Sequence, residues 1–389
     1  MIMPSQFARV TIIGIVAFVT ACGGNHSSSN ANENSTVDTM KNKTSSVTQQ
    51  KYGNTDGKEI IQYTLSNTAG MVVKIINYGG TITNVMIPDS VGNFGDVVLG
   101  FDSLEGYLKK ENPFFGCITG RYANRIAKGK FSIDGKAYQL PVNNNGNTLH
   151  GGINGFNRKI WAGEILPGDS SVKFSYLSKD GEEGFPGNCN VEVTYSLSQN
   201  NELKIDYKAT TDKPTAVNIT NHSYFNLSAG KDSTILGHEI FINADKYIEV
   251  NNELIPTGEL LPVKGTAMDF TVPTKIGTDI EKVAGGYDHT YVLKKKNAAE
   301  PELAVTLHDP SSGRYMEMFT TEPGSQFYSG NFLDGSLTGR KGMRYVKHGG
   351  LALEAQHFPD SPNRPEFPSV VLRPGEVYSQ STIYRFSVE

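Results

Sequence analysis

The chain has a single tryptophan, three cysteines and no dense run of basic residues. Lys+Arg number 36 against 40 for Asp+Glu, a formal net charge of -4. Nucleic-acid binding needs clustered cations, so no nucleic-acid partner is indicated. No G-x-G-x-x-G opens a strand–helix unit, and no phosphate-cradling G-x-x-x-x-G-K-[ST] is present, which argues against dinucleotide and P-loop chemistry. Neither H-E-x-x-H nor paired C-x-x-C occurs, so no metal site and no cofactor are expected. A nucleophile elbow of the form G-x-S-x-G is also missing. Long segments with helical periodicity are absent, which leaves at most short helices.

What remains is rich in turns and aromatics: 41 glycines, 18 tyrosines and 19 phenylalanines. Hydrophobic residues at 38% and charged residues at 20% are ordinary for a folded domain, and 389 residues suffice to bury a large core. From about Glu59 the apolar residues alternate with period two. "MVVKIINYGGTITNVMIP" reads as two strands about Gly79-Gly80. "KFSIDGKAYQL" is a hairpin turning at Asp134-Gly135. In "NVEVTYSLSQNNELKIDYKATT", Val191, Val193, Tyr195 and Leu197 face one way, and Leu203, Ile205, Tyr207 and Ala209 answer them. "ELAVTLHDPSSGRYMEMFTT" and the final "EVYSQSTIYRFSVE" repeat the form, while "SLEGYLKK" offers one short helical turn. The fold class expected is all-β, a large antiparallel β-sandwich with few short helices, forming one domain over 52–389.

The N-terminus reads separately. One basic residue, Arg9, precedes an apolar stretch from Val10 to Ala21, too short to span a bilayer but of signal-peptide length. It ends "VTAC", which resembles the bacterial lipoprotein lipobox and implies lipidation of Cys22. An ordinary secretory signal cleaved nearby is the alternative. Segment 1–21 is thus expected to be a signal peptide. Segment 22–51, rich in Ser, Asn and Thr, is expected to be a flexible tether, because it has too little apolar surface to offset its ordering entropy. The implied localisation is an exported protein held to a membrane through Cys22. Cys117 and Cys189 remain, either as a pair in an oxidising compartment or as independent buried residues.

Polar residues interrupt the alternation in six places. "GRYANRIAKGKF" carries Asn124 and Arg125, "NTLHGG" carries His150, and "TNHSYFNL" carries His222 and Tyr224. Asp269 lies in "MDF", Glu354 in "LALEAQHFPDSPN" and Gln326 in "GSQFYSGNFLDG". Each has a plain structural reading: a surface ion pair for Arg125, a loop position for His150, a turn for Asp269, a solvent-facing edge for Glu354.

Together, and in this order, these stretches resemble the galactose mutarotase (aldose 1-epimerase) family. "DGEEGFPG" and "FPSVVLRPGE" add to the match, which runs from about Tyr52 to the end. The resemblance implies a β-supersandwich with an open sugar cleft, and cofactor-free interconversion of the α and β anomers of aldohexoses such as galactose and glucose. It places Glu354 on the family's general base and His222 on its general acid. Asn124, Arg125, His150, Asp269 and Gln326 fall on monosaccharide-contacting positions.

The chemistry is consistent with those residue types. Anomer exchange removes the C1 hydroxyl proton while the ring oxygen is protonated, so the ring opens, rotates and recloses. Glutamate, with a reference pKa of about 4.3, is expected ionised, and histidine, at about 6.5, needs a modest rise to stay protonated beside carboxylates. Arg, Asn, Asp and Gln supply hydroxyl partners, and Tyr224 an aromatic face for the sugar. Three rivals stay open: a relative acting on hexose 6-phosphates, a glycoside hydrolase or polysaccharide lyase using Asp269 and Glu354, and a non-catalytic sugar-binding lipoprotein.

Overall fold

The computed structural model describes residues 45–168 and 170–389. The expected signal peptide, Cys22 and the tether up to residue 44 lie outside the described residues.

Among the described residues three larger antiparallel sheets are joined by four two-stranded ones. The first has five strands in chain order: Ser46–Thr55, Lys58–Ser66, Val72–Ile76, Thr81–Pro88 and Phe94–Asp96. Its first strand corrects the expected tether boundary, because residues 46–51 pair with Ile61–Ser66. That strand is an edge with mostly exposed residues. Its polar composition therefore looks like linker, although its backbone is hydrogen-bonded like any other strand.

A nine-stranded sheet is centred on Cys189–Leu197, Glu202–Thr211, Tyr378–Val388, Arg314–Thr320 and Glu302–Asp309, in that spatial order. The expected facing pairs form: Val191 opposite Ala209, Val193 opposite Tyr207, Tyr195 opposite Ile205, Leu197 opposite Leu203. All eight are buried. The hairpin at Asp134-Gly135 forms as well, with both residues at positive φ as a two-residue turn of this kind requires. A single α-helix, Leu104–Leu108, occurs among the described residues. Cys117 and Cys189 are buried and free.

The third sheet has six strands in the order Tyr224–Phe225, Leu351–Gln356, Gly324–Tyr328, Asp288–Leu293, Ala244–Val250 and Pro256–Pro262. One apolar cluster draws on all three sheets, with Val73 and Ile75 from the first, Ile205 and Met316 from the second, Leu353 and Phe327 from the third. Two of the polar stretches turn out to serve this scaffold. Buried Arg121 donates to the carbonyls of Pro186, Gly187 and Ser178, tying "GRYANR" to "GFPG". Asp360 accepts from the Ala127 N–H and donates its own N–H to the Arg125 carbonyl.

Ile205 is fully buried at the middle of the large sheet. Ile205→Ala is expected to cost about 2–5 kcal/mol in urea unfolding. Lys208→Ala, on an exposed position of the same strand, should stay within about 0.5 kcal/mol of wild type.

Candidate active site

Strand alternation in the six-stranded sheet puts polar side chains side by side on one face. Gln326 lies opposite Glu354 in one ladder and opposite Thr290 in the next. The Gln326 amide is held at both ends: its Nε2 donates to Asp288 Oδ1 at 2.6 Å, and the Thr290 hydroxyl donates to its Oε1. Glu354 is buried on the second strand of this sheet, which excludes the solvent-facing edge as its setting.

His222 sits between two short strands, and the local sequence explains its placement. In "NHS" the Asn221 Oδ1 accepts from both the N–H and the hydroxyl of Ser223, while its Nδ2 donates to the Gly116 carbonyl. The motif repeats in "NLS", where Asn226 Oδ1 receives the N–H and hydroxyl of Ser228. Asparagine mimics a backbone turn this way, so the two turns bracket the residues His222–Phe225. The backbone of His222 is also locked, donating to the Cys117 carbonyl and accepting from Gly116 N–H.

The "LHGG" stretch arrives by pairing Leu149 with Arg125. His150 then donates its N–H to the Asn124 carbonyl and accepts the Asn124 N–H on its ring Nδ1, at 3.1 Å. Gly151 has φ +88, and a Cβ there would fall 1.9 Å from the Gly120 carbonyl oxygen, so no other residue fits without displacing backbone.

These elements converge on His150, His222 and Glu354, whose polar atoms lie within 4.8 Å of one another. His222 Nε2 is 3.6 Å from Glu354 Oε1. The His222 ring lies between Tyr224, stacked at 5.1 Å, and Phe114 at 5.8 Å. Nδ1 of His222 and Oε2 of Glu354 are buried without a protein hydrogen-bond partner among the described residues. Unpartnered buried polar atoms are costly and concentrate where function requires them.

The electrostatics reverse the expected protonation. Burial pushes the Glu354 carboxyl up to about 8, reinforced by the negative charge of Asp288 and opposed by Arg125. Burial pushes the His222 imidazolium down to about 4. Residue types alone suggest a charged acid–base pair; a site walled by Phe114 and Tyr224 disfavours both charges. The 3.6 Å contact is thus a carboxylic acid beside a neutral imidazole. Between about pH 4 and about pH 8 the pair holds one exchangeable proton. His150 is held well below its ordinary pKa by burial and by His222 and Arg125.

A metal does not fit this cluster well. The Asn124 N–H on His150 Nδ1 requires the tautomer with its proton on Nε2, so that nitrogen presents a hydrogen rather than a lone pair. Only His222 and Glu354 would remain as ligands.

The structure brings together Glu354, His222, His150, Asn124, Arg125, Tyr224 and Gln326, but not Asp269. The Asp269 carboxylate accepts from the N–H and hydroxyl of Thr271 and from Gly265 N–H, closing a turn that also holds its pKa down. The turn reading of that residue is therefore the correct one, and the carboxylate beside Gln326 is Asp288. Its signal lay in "YDHTYVL", where Asp288 and Thr290 are polar at alternate positions of an otherwise apolar strand. Phe114 was also missed; "ENPFFG" marks a turn but not the half-buried ring it presents. Tyr224, expected against the sugar, has its ring stacked on His222 and is nearly inaccessible.

The aldose 1-epimerase family profile matches residues 62–385. This chain belongs to the aldose 1-epimerase family. It is 48% identical to a galactose mutarotase of Rattus norvegicus over 317 residues, 81% of this chain and 91% of that protein. An Escherichia coli aldose 1-epimerase is 40% identical over 86% of this chain and 97% of its own length. The solved structure of an aldose epimerase homologue from C. elegans superposes with a TM-score of 0.78 at 31% identity, covering 89% of this chain and 99% of that one. The supersandwich expected from the sequence is thus the fold observed.

Because Asp288 raises and Arg125 lowers the Glu354 pKa, Asp288→Asn should bring it below about 8 and Arg125→Leu should lift it further. Infrared titration of the protonated carboxyl band tests both. Asp269→Asn is expected to leave that titration unchanged.

Proposed function

We propose that the protein is a cofactor-independent aldose 1-epimerase in which Glu354 and His222 exchange protons with the O5–C1–O1 unit of a free aldose. Galactose and glucose are the candidate substrates. The observation that carries the reading is the buried 3.6 Å contact of Glu354 with His222. The enzyme is an isomerase, and its reaction needs no net proton, only one that can be given and taken back.

In the free site that proton rests on Glu354. When a sugar enters, its hydroxyl donors and Arg125 compensate a carboxylate, and the proton shifts to His222. Glu354 then accepts the C1 hydroxyl proton as His222 protonates the ring oxygen. The C1–O5 bond breaks, the C1–C2 bond rotates, and the same two transfers run backwards to close the other anomer. His150, with its Nε2–H, is a fixed donor to a sugar hydroxyl, and Arg125, Asn124, Gln326 and Asp288 supply the remaining partners. Asp288 replaces Asp269 in that role.

Glu354→Gln and His222→Asn are each expected to slow mutarotation by about 10²–10⁴-fold in polarimetry of fresh α-D-galactose and α-D-glucose, with sugar still bound. The double variant should be little worse than the slower single one. Plotted against pH, kcat/KM should be bell-shaped. Below about pH 4 the pair gains a second proton and has no base; above about pH 8 it loses its only proton and has no acid. A flat profile from pH 5 to pH 10 would contradict the assignment.

We also propose that the protein is exported as a lipoprotein modified at Cys22, a reading supported by the apolar run Val10–Ala21 ending in "VTAC". Two or more acyl chains make such an anchor stable. Cys22→Ser is expected to move the protein from the membrane fraction to the soluble one.

A further inference from the structure

The strand that carries Glu354 and the segment that carries His222 are paired as a ladder at one end only. Tyr224 lies opposite Ala352 and Phe225 opposite Leu351. The same antiparallel register, carried on, would set His222 opposite Glu354, but the ladder stops. The His222 N–H goes to the Cys117 carbonyl, and the His222 carbonyl receives the Gly116 N–H. Backbone pairing therefore does not hold the two chains together at the point where the two side chains meet, 3.6 Å apart.

Beyond that gap Asn218 joins them again. It stands four residues before His222 and is fully buried. Its Oδ1 accepts the His357 N–H at 3.0 Å, and its Nδ2 donates to the His357 carbonyl at 3.3 Å. One side-chain amide thereby takes both backbone groups of a residue three beyond Glu354, as a neighbouring strand would. Nδ2 also donates to the Ala123 carbonyl at 3.2 Å, directly before Asn124 and Arg125. The Asn218 backbone adds two bonds to the same corner, giving its N–H to the Arg121 carbonyl and receiving the Ala123 N–H on its own carbonyl. The segments bearing His222, Glu354 and the Asn124–Arg125 pair thus meet at a single side chain.

We propose that Asn218 is a positioning residue for the proton exchange, an assignment that rests on the epimerase reading of the site. Its amide stands in for the missing strand pair and fixes the separation of Glu354 from His222. Removing the amide leaves the His357 N–H without its partner in a buried setting and releases the end of the Glu354 strand. The 121–125 corner stays with the His222 segment, because the backbone bonds of Asn218 survive a change of side chain. Sugar contacts from Asn124 and Arg125 therefore persist while the acid and base drift apart. Proton transfer needs hydrogen-bond reach, and a misplacement of about 1 Å is enough to cost about a hundredfold in rate.

The test compares Asn218→Leu, close in size but without hydrogen-bonding groups, with Asn67→Leu, both in the full-length chain. Asn67 is also buried and also makes three side-chain bonds, to Met71, Ser198 and Asn201, none of which lies in a segment bearing the cluster. In polarimetry with galactose, Asn218→Leu should lower kcat by about tenfold to a hundredfold and leave KM within about threefold of wild type. Asn67→Leu should change neither. The Glu354 carboxyl band should titrate higher in Asn218→Leu than in wild type, because the released strand end leaves Arg125 but keeps Asp288 within its own sheet. In the wild-type protein, whatever the variants' folding, the His357 amide should exchange with deuterium as slowly as those of Leu351–Gln356. An unchanged kcat, a rise in KM alone, an equal loss in Asn67→Leu, an unmoved carboxyl titration or a fast-exchanging His357 amide would each overturn the proposal. A wild-type chain without mutarotase activity would overturn the epimerase reading instead, and the carboxyl titration and amide exchange would still decide what Asn218 positions.

Discussion

A carboxyl and an imidazole 3.6 Å apart and out of water set the terms for the rest of this protein. In water at mildly acidic pH both would carry charge, since the reference pKa values are about 4.3 for glutamate and about 6.5 for histidine. Burial removes the hydration that stabilises those charges, raising the glutamate pKa and lowering that of the histidine. The result is a pair that is neutral overall yet ready to shuttle one proton. That condition suits a reaction in which one oxygen loses a proton as its neighbour gains one. It also requires geometry held from outside the pair, because neither group is anchored by a strong charge-assisted bond to the other.

The surrounding structure supplies that anchoring through backbone rather than through further charges. Two asparagine turns bracket His222, the Asn124 N–H sets the His150 tautomer, and Thr290 with Asp288 orients the Gln326 amide. Each device fixes one side chain with one or two hydrogen bonds, and each fails if its partner strand shifts register. Placing Thr290, Gln326 and Glu354 on neighbouring strands of one sheet makes their spacing a consequence of the ladder. Such a polar sheet face costs stability. The nine-stranded sheet, with its continuous Val, Ile, Leu and Tyr pairs, offsets it with apolar burial.

Sequence alternation carried the strands, the Asp134-Gly135 hairpin and the pairing of 189–197 with 202–211, because a two-residue period is a local property of a half-buried strand. It failed at the edge strand Ser46–Thr55, where exposed polar residues leave a strand nothing apolar to display. It also failed to separate Asp269 from Asp288. Both are lone acids in β-rich sequence; Thr271, two residues on, closes a local turn on the first, whereas the second meets its partner Gln326 only across a strand ladder.

The sequence by itself thus determined the all-β class, the strand pairs close in chain order and the residue types that converge in the buried cluster. Tertiary structure alone decided which carboxylate joins the cluster, that Tyr224 faces His222, and which of Glu354 and His222 holds the proton. The physical reason is range. Backbone pairing and apolar alternation act between near neighbours, but a pKa is set by the desolvation of a group and by every charge near it. Those charges come from strands Asp288–Leu293 and Leu351–Gln356 and from the 124–125 corner, more than 200 residues apart at the extremes, and they meet only when the sheets close.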